Sequence, residues 1–169
     1  MFIKKNLEYQ KLPLPHKVSM SDFEMMSSIE SFREYMLKRH TVRDFSKRSV
    51  DFAIIQKAIQ IAGSAPSGAN HQPWHFVAIS NKDIKKTIRD AAEIEENKFY
   101  SGGASDEWIK ALEPIGTNAN KPHLEIAPWL IIIFAERFGT FDDGSKYKNY
   151  YVPESVGTVS YTHLTLPTT

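Results

Sequence analysis

Ala65-Pro66-Ser67-Gly68-Ala69-Asn70-His71-Gln72-Pro73-Trp74 is the stretch whose reading decides how this chain folds. A helical pattern ending at Gly63 runs into it, and the apolar run Phe76-Val77-Ala78-Ile79 leaves it as a strand. Pro66 and Pro73 each remove a backbone donor, and Gly68 permits angles closed to other residues. Small residues at Ala65, Ser67, Gly68 and Ala69 leave the main chain bare, so its N–H groups can approach a bound molecule closely. A Pro-Ser-Gly triplet alone is more often a plain helix-to-strand connector. Two prolines and a tryptophan around a side-chain-poor centre shift the reading toward a cofactor or substrate loop.

Upstream, Ser21-Asp22-Phe23-Glu24 is a capping box that opens a helix to about Lys38. Its apolar face is thin (Phe23, Met26, Ile29, Phe32, Met36), which suits a partner subunit as well as its own core. Pro13 and Pro15 make residues 1–20 an extended arm. A second helix spans about Asp51 to Ala62, with Gly63 as its stop. Downstream, Asn81 caps a long helix to about Tyr100, with Ile84, Ile88 and Ala91 on its buried face. A short helix at about 106–112 carries Trp108, and Trp129 to Phe134 reads as a strand buried on both faces. Asp142-Asp143-Gly144 is a turn, and Pro153-Glu154 starts a last helix. Helices alternating with apolar strands give an α+β (α/β layered) fold in one domain, residues 21–159.

The tail breaks this pattern. Residues 155–169 hold no Asp, Glu, Lys or Arg, and four of the last eight residues are threonine. The last helix is expected to give out into Tyr161-Thr162-His163-Leu164, and residues 160–169 read as a non-native tail.

With 169 residues the chain is one domain long, and 41% hydrophobic with 24% charged residues is ordinary for a soluble globular protein. A net charge of +1 gives no field for nucleic acid or an anionic membrane. The absence of cysteine removes disulfides, thiolate catalysis and Cys-ligated metals, and fits a reducing cytoplasm. No apolar run approaches the roughly 20 residues of a membrane helix, and no signal peptide is legible.

Three constellations could carry chemistry. Arg39 and Arg43 are four apart with Thr41 between them, so in helical or turn geometry both could converge on one phosphate. A solvated basic helix end is the commoner outcome of such spacing. Glu96 and Tyr100 share a helix face, and Lys121 stands before the apolar strand. A carboxylate, a phenol and an ammonium could hold an amino-acid zwitterion, although spacing alone does not assemble them. His71 and His75 are also four apart, but Pro73 between them forbids the helix a metal site would need. Walker-type, Gly-x-Gly-x-x-Gly and Gly-x-Ser-x-Gly loops are absent.

Taken together, Arg39-His40-Thr41-Val42-Arg43-Asp44-Phe45, the loop 65–74, and Glu96-x-x-x-Tyr100 with Trp108 and Thr117-Asn118-x-x-Lys121 resemble the flavin-dependent nitroreductase superfamily. The third motif points within it to the iodotyrosine deiodinase branch. The likeness covers about Ser31 to Gly157 and ends in Asn149-Tyr150-Tyr151-Val152-Pro153-Glu154-Ser155. The resemblance implies a nitroreductase-like FMN-binding fold, a mixed sheet flanked by helices, incomplete at the C-terminus. It implies that Arg39, His40, Thr41 and Arg43 contact FMN, and that Pro66, Ser67 and Gly68 lie against its ring from the other subunit of a homodimer. Ala69 would offer its N–H to a substrate phenolate, while Glu96, Tyr100 and Lys121 would form a lid gripping a halotyrosine's ammonium and carboxylate. The implied reaction is reductive dehalogenation in the cytoplasm, with NAD(P)H or a reductase partner as electron source. A general NAD(P)H-dependent nitro or quinone reductase is the alternative enzyme, and a non-catalytic fragment the alternative of another class. His40 and Thr41 stand where Arg and Ser are also common in the family.

Overall fold

A computed structural model describes residues 11, 13, 14 and 18–164, the last two by backbone alone. Most of the expected 1–20 arm and the end of the tail lie outside the described residues. The chain orders as α1 (Asp22–Leu37), α2 (Phe52–Ala62), β1 (Trp74–Ile79), α3 (Lys82–Lys98), α4 (Asp106–Leu112), α5 (His123–Ile126), β2 (Leu130–Ala135), β3 (Phe138–Thr140), β4 (Lys146–Lys148) and α6 (Val152–Leu164). Single turns of 3-10 helix at Gly68–Asn70 and Glu113–Ile115, and a π turn at Phe99–Gly103, fill the connections.

The capping box behaves as its residues dictate. Glu24 N–H donates to Ser21 Oγ (3.4 Å), and Glu24 Oε2 accepts from Ser21 N–H (2.8 Å). Past that start, α1 buries none of its residues, and Phe23, Met26, Ile29 and Phe32 all stand exposed.

Among the described residues β1 pairs with β2, and β3 with β4, in two separate two-stranded sheets in place of the expected mixed sheet. The Glu136 N–H donates to the Pro73 carbonyl (3.0 Å), which sets the end of β2 beside the start of β1, so these strands are antiparallel. β3 and β4 are antiparallel too, with Gly139 opposite Tyr147. With one neighbouring strand among the described residues, β2 is half-buried over Leu130–Ile133 and exposed at Phe134 and Ala135, so it is not buried on both faces.

The described residues form two compact units. The first contains α1, the segment Ala58–His75 and the chain from Phe134 onward. Its core joins Ala62, Ala65 and Pro73 to Val152, Ser155 and Val159, which recur at i, i+3 and i+7 on α6. α6 continues through Tyr161 to Leu164, beyond the point where the sequence pattern expects it to give out. Its hydroxyls are accommodated inside the helix: Thr158 Oγ1 donates to the Glu154 carbonyl (2.9 Å), Ser160 Oγ to Val156 (2.6 Å) and Thr162 Oγ1 to Thr158 (2.9 Å). Such i−4 bonds satisfy Ser and Thr inside a helix instead of unwinding it.

The second unit contains residues 42–57 and 76–133. Trp129 donates its indole N–H to the Val50 carbonyl (2.8 Å), and its ring lies tilted against Phe52 at 5.4 Å. The inward face of α3 differs from the expected Ile84–Ile88–Ala91 stripe. Ile84 and Ala91 are exposed, whereas Lys85 is buried and Ile88, Arg89, Ala92, Glu93 and Glu96 are half-buried. The reason is what α3 packs against: α5 and its flanking loops present backbone groups that need charged partners. Lys85 Nζ donates to the Glu125 (3.0 Å) and Ala127 (2.6 Å) carbonyls, closing the C-terminal end of α5.

Candidate functional site

The loop 65–74 lies in the first unit, and its conformation is not the one its composition suggests. Gly68 does not take a left-handed conformation. That region is occupied by its neighbours Ala69 (φ 50°), Asn70 (φ 53°) and Gln72 (φ 47°). Gly68 is required for space, because a Cβ there would stand 2.6 Å from the Tyr150 carbonyl oxygen and about 3.0 Å from the Tyr151 ring. Left-handed backbone at residues bearing a Cβ costs about 1 kcal/mol or more each, and it persists only where surroundings fix it.

Those surroundings come from the segment 149–155. The Gly68 N–H donates to Ser155 Oγ (3.2 Å), a buried hydroxyl in the first turn of α6. Asn149 is buried as well: its Nδ2 donates to the Glu136 carbonyl (2.7 Å) and its Oδ1 meets His71 Nδ1 at 2.9 Å. Since the amide oxygen is an acceptor, Nδ1 of His71 carries the proton. The His71 ring also stands edge-on to Tyr147, with centroids 5.3 Å apart. Within the loop, Gln72 N–H donates to Ser67 Oγ (2.8 Å), Asn70 N–H to the Ser67 carbonyl and His71 N–H to the Gly68 carbonyl. The amides of Gly68, Asn70, His71 and Gln72 are therefore spent. Those of Ser67 and Ala69 meet no acceptor among the described residues, and Ala69 is exposed.

The second unit assembles the three residues that spacing alone left scattered. Lys121 Nζ and Glu96 Oε2 form a 2.9 Å ion pair, with the lysine side chain 15% exposed and the glutamate 37%. The Tyr100 hydroxyl donates to Thr117 Oγ1 (3.0 Å), and Lys121 Nζ donates to the Asn118 carbonyl (2.7 Å). The sequence reading passed over Glu93, whose Oε1 accepts the Lys121 backbone N–H (2.7 Å) and the Arg89 Nε–H (2.8 Å). Arg89 also reaches Glu125 (3.1 Å) and Asn120 (3.0 Å). Glu93, Glu96 and Tyr100 thus form one stripe along α3 and the π turn that grips the 117–121 strap at three points. Arg89 and the Lys121 amide hold the Glu93 carboxyl below the usual carboxylate range. Phe99 packs edge-on between Tyr100 (5.3 Å) and Trp108 (5.1 Å), leaving Trp108 largely exposed.

Burial first, and then the positive charges of Arg43 and Lys121, lower the pKa of His123 at the start of α5. Arg43 and Lys121 thus both act on His123, which no sequence spacing signalled. Arg39, His40 and Thr41 are exposed in the irregular segment that follows α1. Because α1 ends at Leu37 and residues 39–50 form no helix, the i, i+4 argument for Arg39 and Arg43 does not apply.

A nitroreductase family model matches residues 36–157. An iodotyrosine deiodinase from Haliscomenobacter hydrossis is 47% identical over 134 residues, 79% of this chain and 60% of the relative. Iodotyrosine deiodinase 1 of Homo sapiens is 35% identical over 153 residues, 90% of this chain and 52% of the relative. A crystal structure of oxidized iodotyrosine deiodinase bound to FMN and 3-iodo-L-tyrosine superposes with a TM-score of 0.69 at 28% identity, over 79% of this chain and 66% of that one. The chain thus spans about half to two thirds of the length of the relatives it matches. With the family match running from residue 36 to residue 157, through both the 65–74 loop and the Glu96–Lys121 pair, the protein belongs to the nitroreductase family.

Proposed function

We propose that this protein is an FMN-dependent oxidoreductase that reductively dehalogenates halotyrosines. The observation that carries the proposal is the Glu96–Lys121 ion pair with the Tyr100 hydroxyl on the same α3 stripe. A carboxylate and an ammonium already paired at 2.9 Å can exchange each other for the ammonium and carboxylate of an amino acid with no net change in charge. The relatives at 47% and 35% identity are iodotyrosine deiodinases, which supports the same substrate class.

The residues present fit a flavin. Ser67 and Ala69 keep open amides on a loop without bulky side chains, suited to a flat ring and a phenolate. As the family resemblance implies, Arg39, His40, Thr41 and Arg43 would hold the FMN phosphate and its ribityl chain or pyrimidine ring. Pro66, Ser67 and Gly68 would line its ring, and Ala69 N–H would bind the phenolate. Bound FMN would supply the reducing electrons, taken from NAD(P)H or a reductase partner, with halide and tyrosine as products. Glu96, Tyr100 and Lys121 would orient the ring and exclude water. The exposed Phe23, Met26, Ile29 and Phe32 of α1 support a homodimer, which we place in the cytoplasm.

The test is reconstitution with FMN, reduction, and quantification of tyrosine and iodide released from 3-iodotyrosine. Glu96→Gln and Lys121→Ala are each expected to lower turnover at least tenfold. Unchanged halotyrosine turnover in both variants refutes the reading. Nitro or quinone reduction without dehalogenation points to a general reductase, and a colourless chain that takes no FMN to a non-catalytic one.

A further inference from the structure

We propose that Ser155 and Asn149 are positioning residues that hold the 67–72 loop in the shape that leaves the Ser67 and Ala69 amides open. The inference rests on the flavin reading of that loop and extends it to two residues outside the loop. Neither side chain is free to do much else. Both are buried, at 4% and 5% exposure, and each directs a polar atom at the loop across more than 75 residues of sequence. Ser155 Oγ takes the Gly68 N–H, and Asn149 takes the proton of His71 Nδ1 while its amide is anchored on the Glu136 carbonyl.

The pattern of consumed donors gives the pair its meaning. Gly68 N–H lies between the two open amides, and among the described residues it is the one backbone donor of the 68–72 turn satisfied from outside the loop. Without the Ser155 oxygen, the Gly68 amide would seek a new acceptor and rotate the Ser67–Gly68 peptide, whose carbonyl accepts the Asn70 N–H and whose turn sets both open amides. Gly68, which carries no Cβ, has little intrinsic preference to resist that rotation, and the left-handed Ala69 beside it gains by relaxing. Tyr151 reinforces the point. It too is left-handed (φ 52°), and this places its ring against Gly68 just before α6 delivers Ser155. One short segment therefore limits the loop's space and fixes its hydrogen bonding.

The experiment compares Ser155→Ala with Val159→Ala, a purely apolar truncation one turn further along the same buried stripe of α6. Amide exchange of the 66–72 peptide is followed in the ligand-free chain, and FMN affinity is measured by flavin fluorescence. Both variants are expected to lower the melting temperature. Only Ser155→Ala should speed loop exchange and weaken FMN, each by on the order of tenfold for one lost buried hydrogen bond. Asn149→Leu should show the same signature, and Ser155→Thr, which keeps the oxygen, should retain slow loop exchange. If Ser155→Ala and Val159→Ala are indistinguishable in loop exchange, the assignment is wrong, whatever the enzyme's substrate. If the native chain binds FMN but does not dehalogenate, the dehalogenase reading fails while the ratio of FMN affinities still decides the role of Ser155. If it takes no FMN, loop exchange alone decides.

Discussion

Gly68→Ala is the sharpest perturbation of this molecule, because the added atom has nowhere to go. The new Cβ would sit 2.6 Å from the Tyr150 carbonyl oxygen, about 0.8 Å inside ordinary van der Waals contact. Relief by a rotamer change is impossible on the Tyr150 side, where the opposing atom is backbone. The segment 150–151 must move, and it cannot do so alone: Ser155 N–H is bonded to the Tyr151 carbonyl (2.9 Å), and Ser155 Oγ holds Gly68 itself. Overpacking against such a braced wall costs about 1–3 kcal/mol. For a chain of this length each kcal/mol lowers the melting temperature by about 2–4 °C, so a fall of roughly 2–12 °C is expected. Gly157→Ala supplies the opposite sign in the same unit. Gly157 lies inside α6 and a Cβ there meets nothing within 4 Å, so alanine should stabilise by about 0.5–1 kcal/mol. Thermal denaturation of the two variants beside the native chain, with FMN titration of each, reads both effects. A Gly68→Ala chain that melts with the native protein and retains FMN would refute the reasoning that Gly68 is there for space.

Further measurements follow from the second unit. Lys85→Met removes the ammonium that closes the end of α5 and leaves the Glu125 and Ala127 carbonyls without it, so a loss of about 2–3 kcal/mol is expected in urea unfolding. Glu93→Gln weakens the carboxylate that receives the Lys121 backbone N–H and should raise the KM for a halotyrosine more than it lowers kcat in steady-state kinetics. His123 has its native pKa depressed below 6.5 by burial and by Arg43 and Lys121, so the folded state disfavours its protonation. Its contribution to stability is complete above about pH 6.5 and is lost as the pH falls toward and through the lower native value. Melting temperatures measured downward from pH 7 should therefore fall less steeply in His123→Gln.

Much of this was written in local sequence. The capping box at Ser21, the Asn81 cap, whose Oδ1 accepts from Asp83 N–H (2.9 Å) and Ile84 N–H (3.0 Å), and the proline-bounded loop depend on residues a few positions apart. Hydrogen bonds of that reach are set by residue type and spacing, so helix positions, the loop and the family resemblance could all be read directly. The α3 face could not. A hydrophobic period selects Ile84 and Ala91, but the neighbour is a strap of backbone polar groups, and only charged residues satisfy it.

The sequence by itself thus determined which segments coil, where the chain bares its backbone, and which family's motifs it bears, because those depend on steric and capping preferences of neighbours. Only the tertiary structure decided that Glu96 finds Lys121, that Glu93 carries the strap, and that the loop's left-handed residues are Ala69, Asn70 and Gln72 rather than Gly68. Each depends on a partner far along the chain: Ser155 Oγ, Asn149 and the Tyr150 carbonyl take part only once α6 has packed beneath the loop.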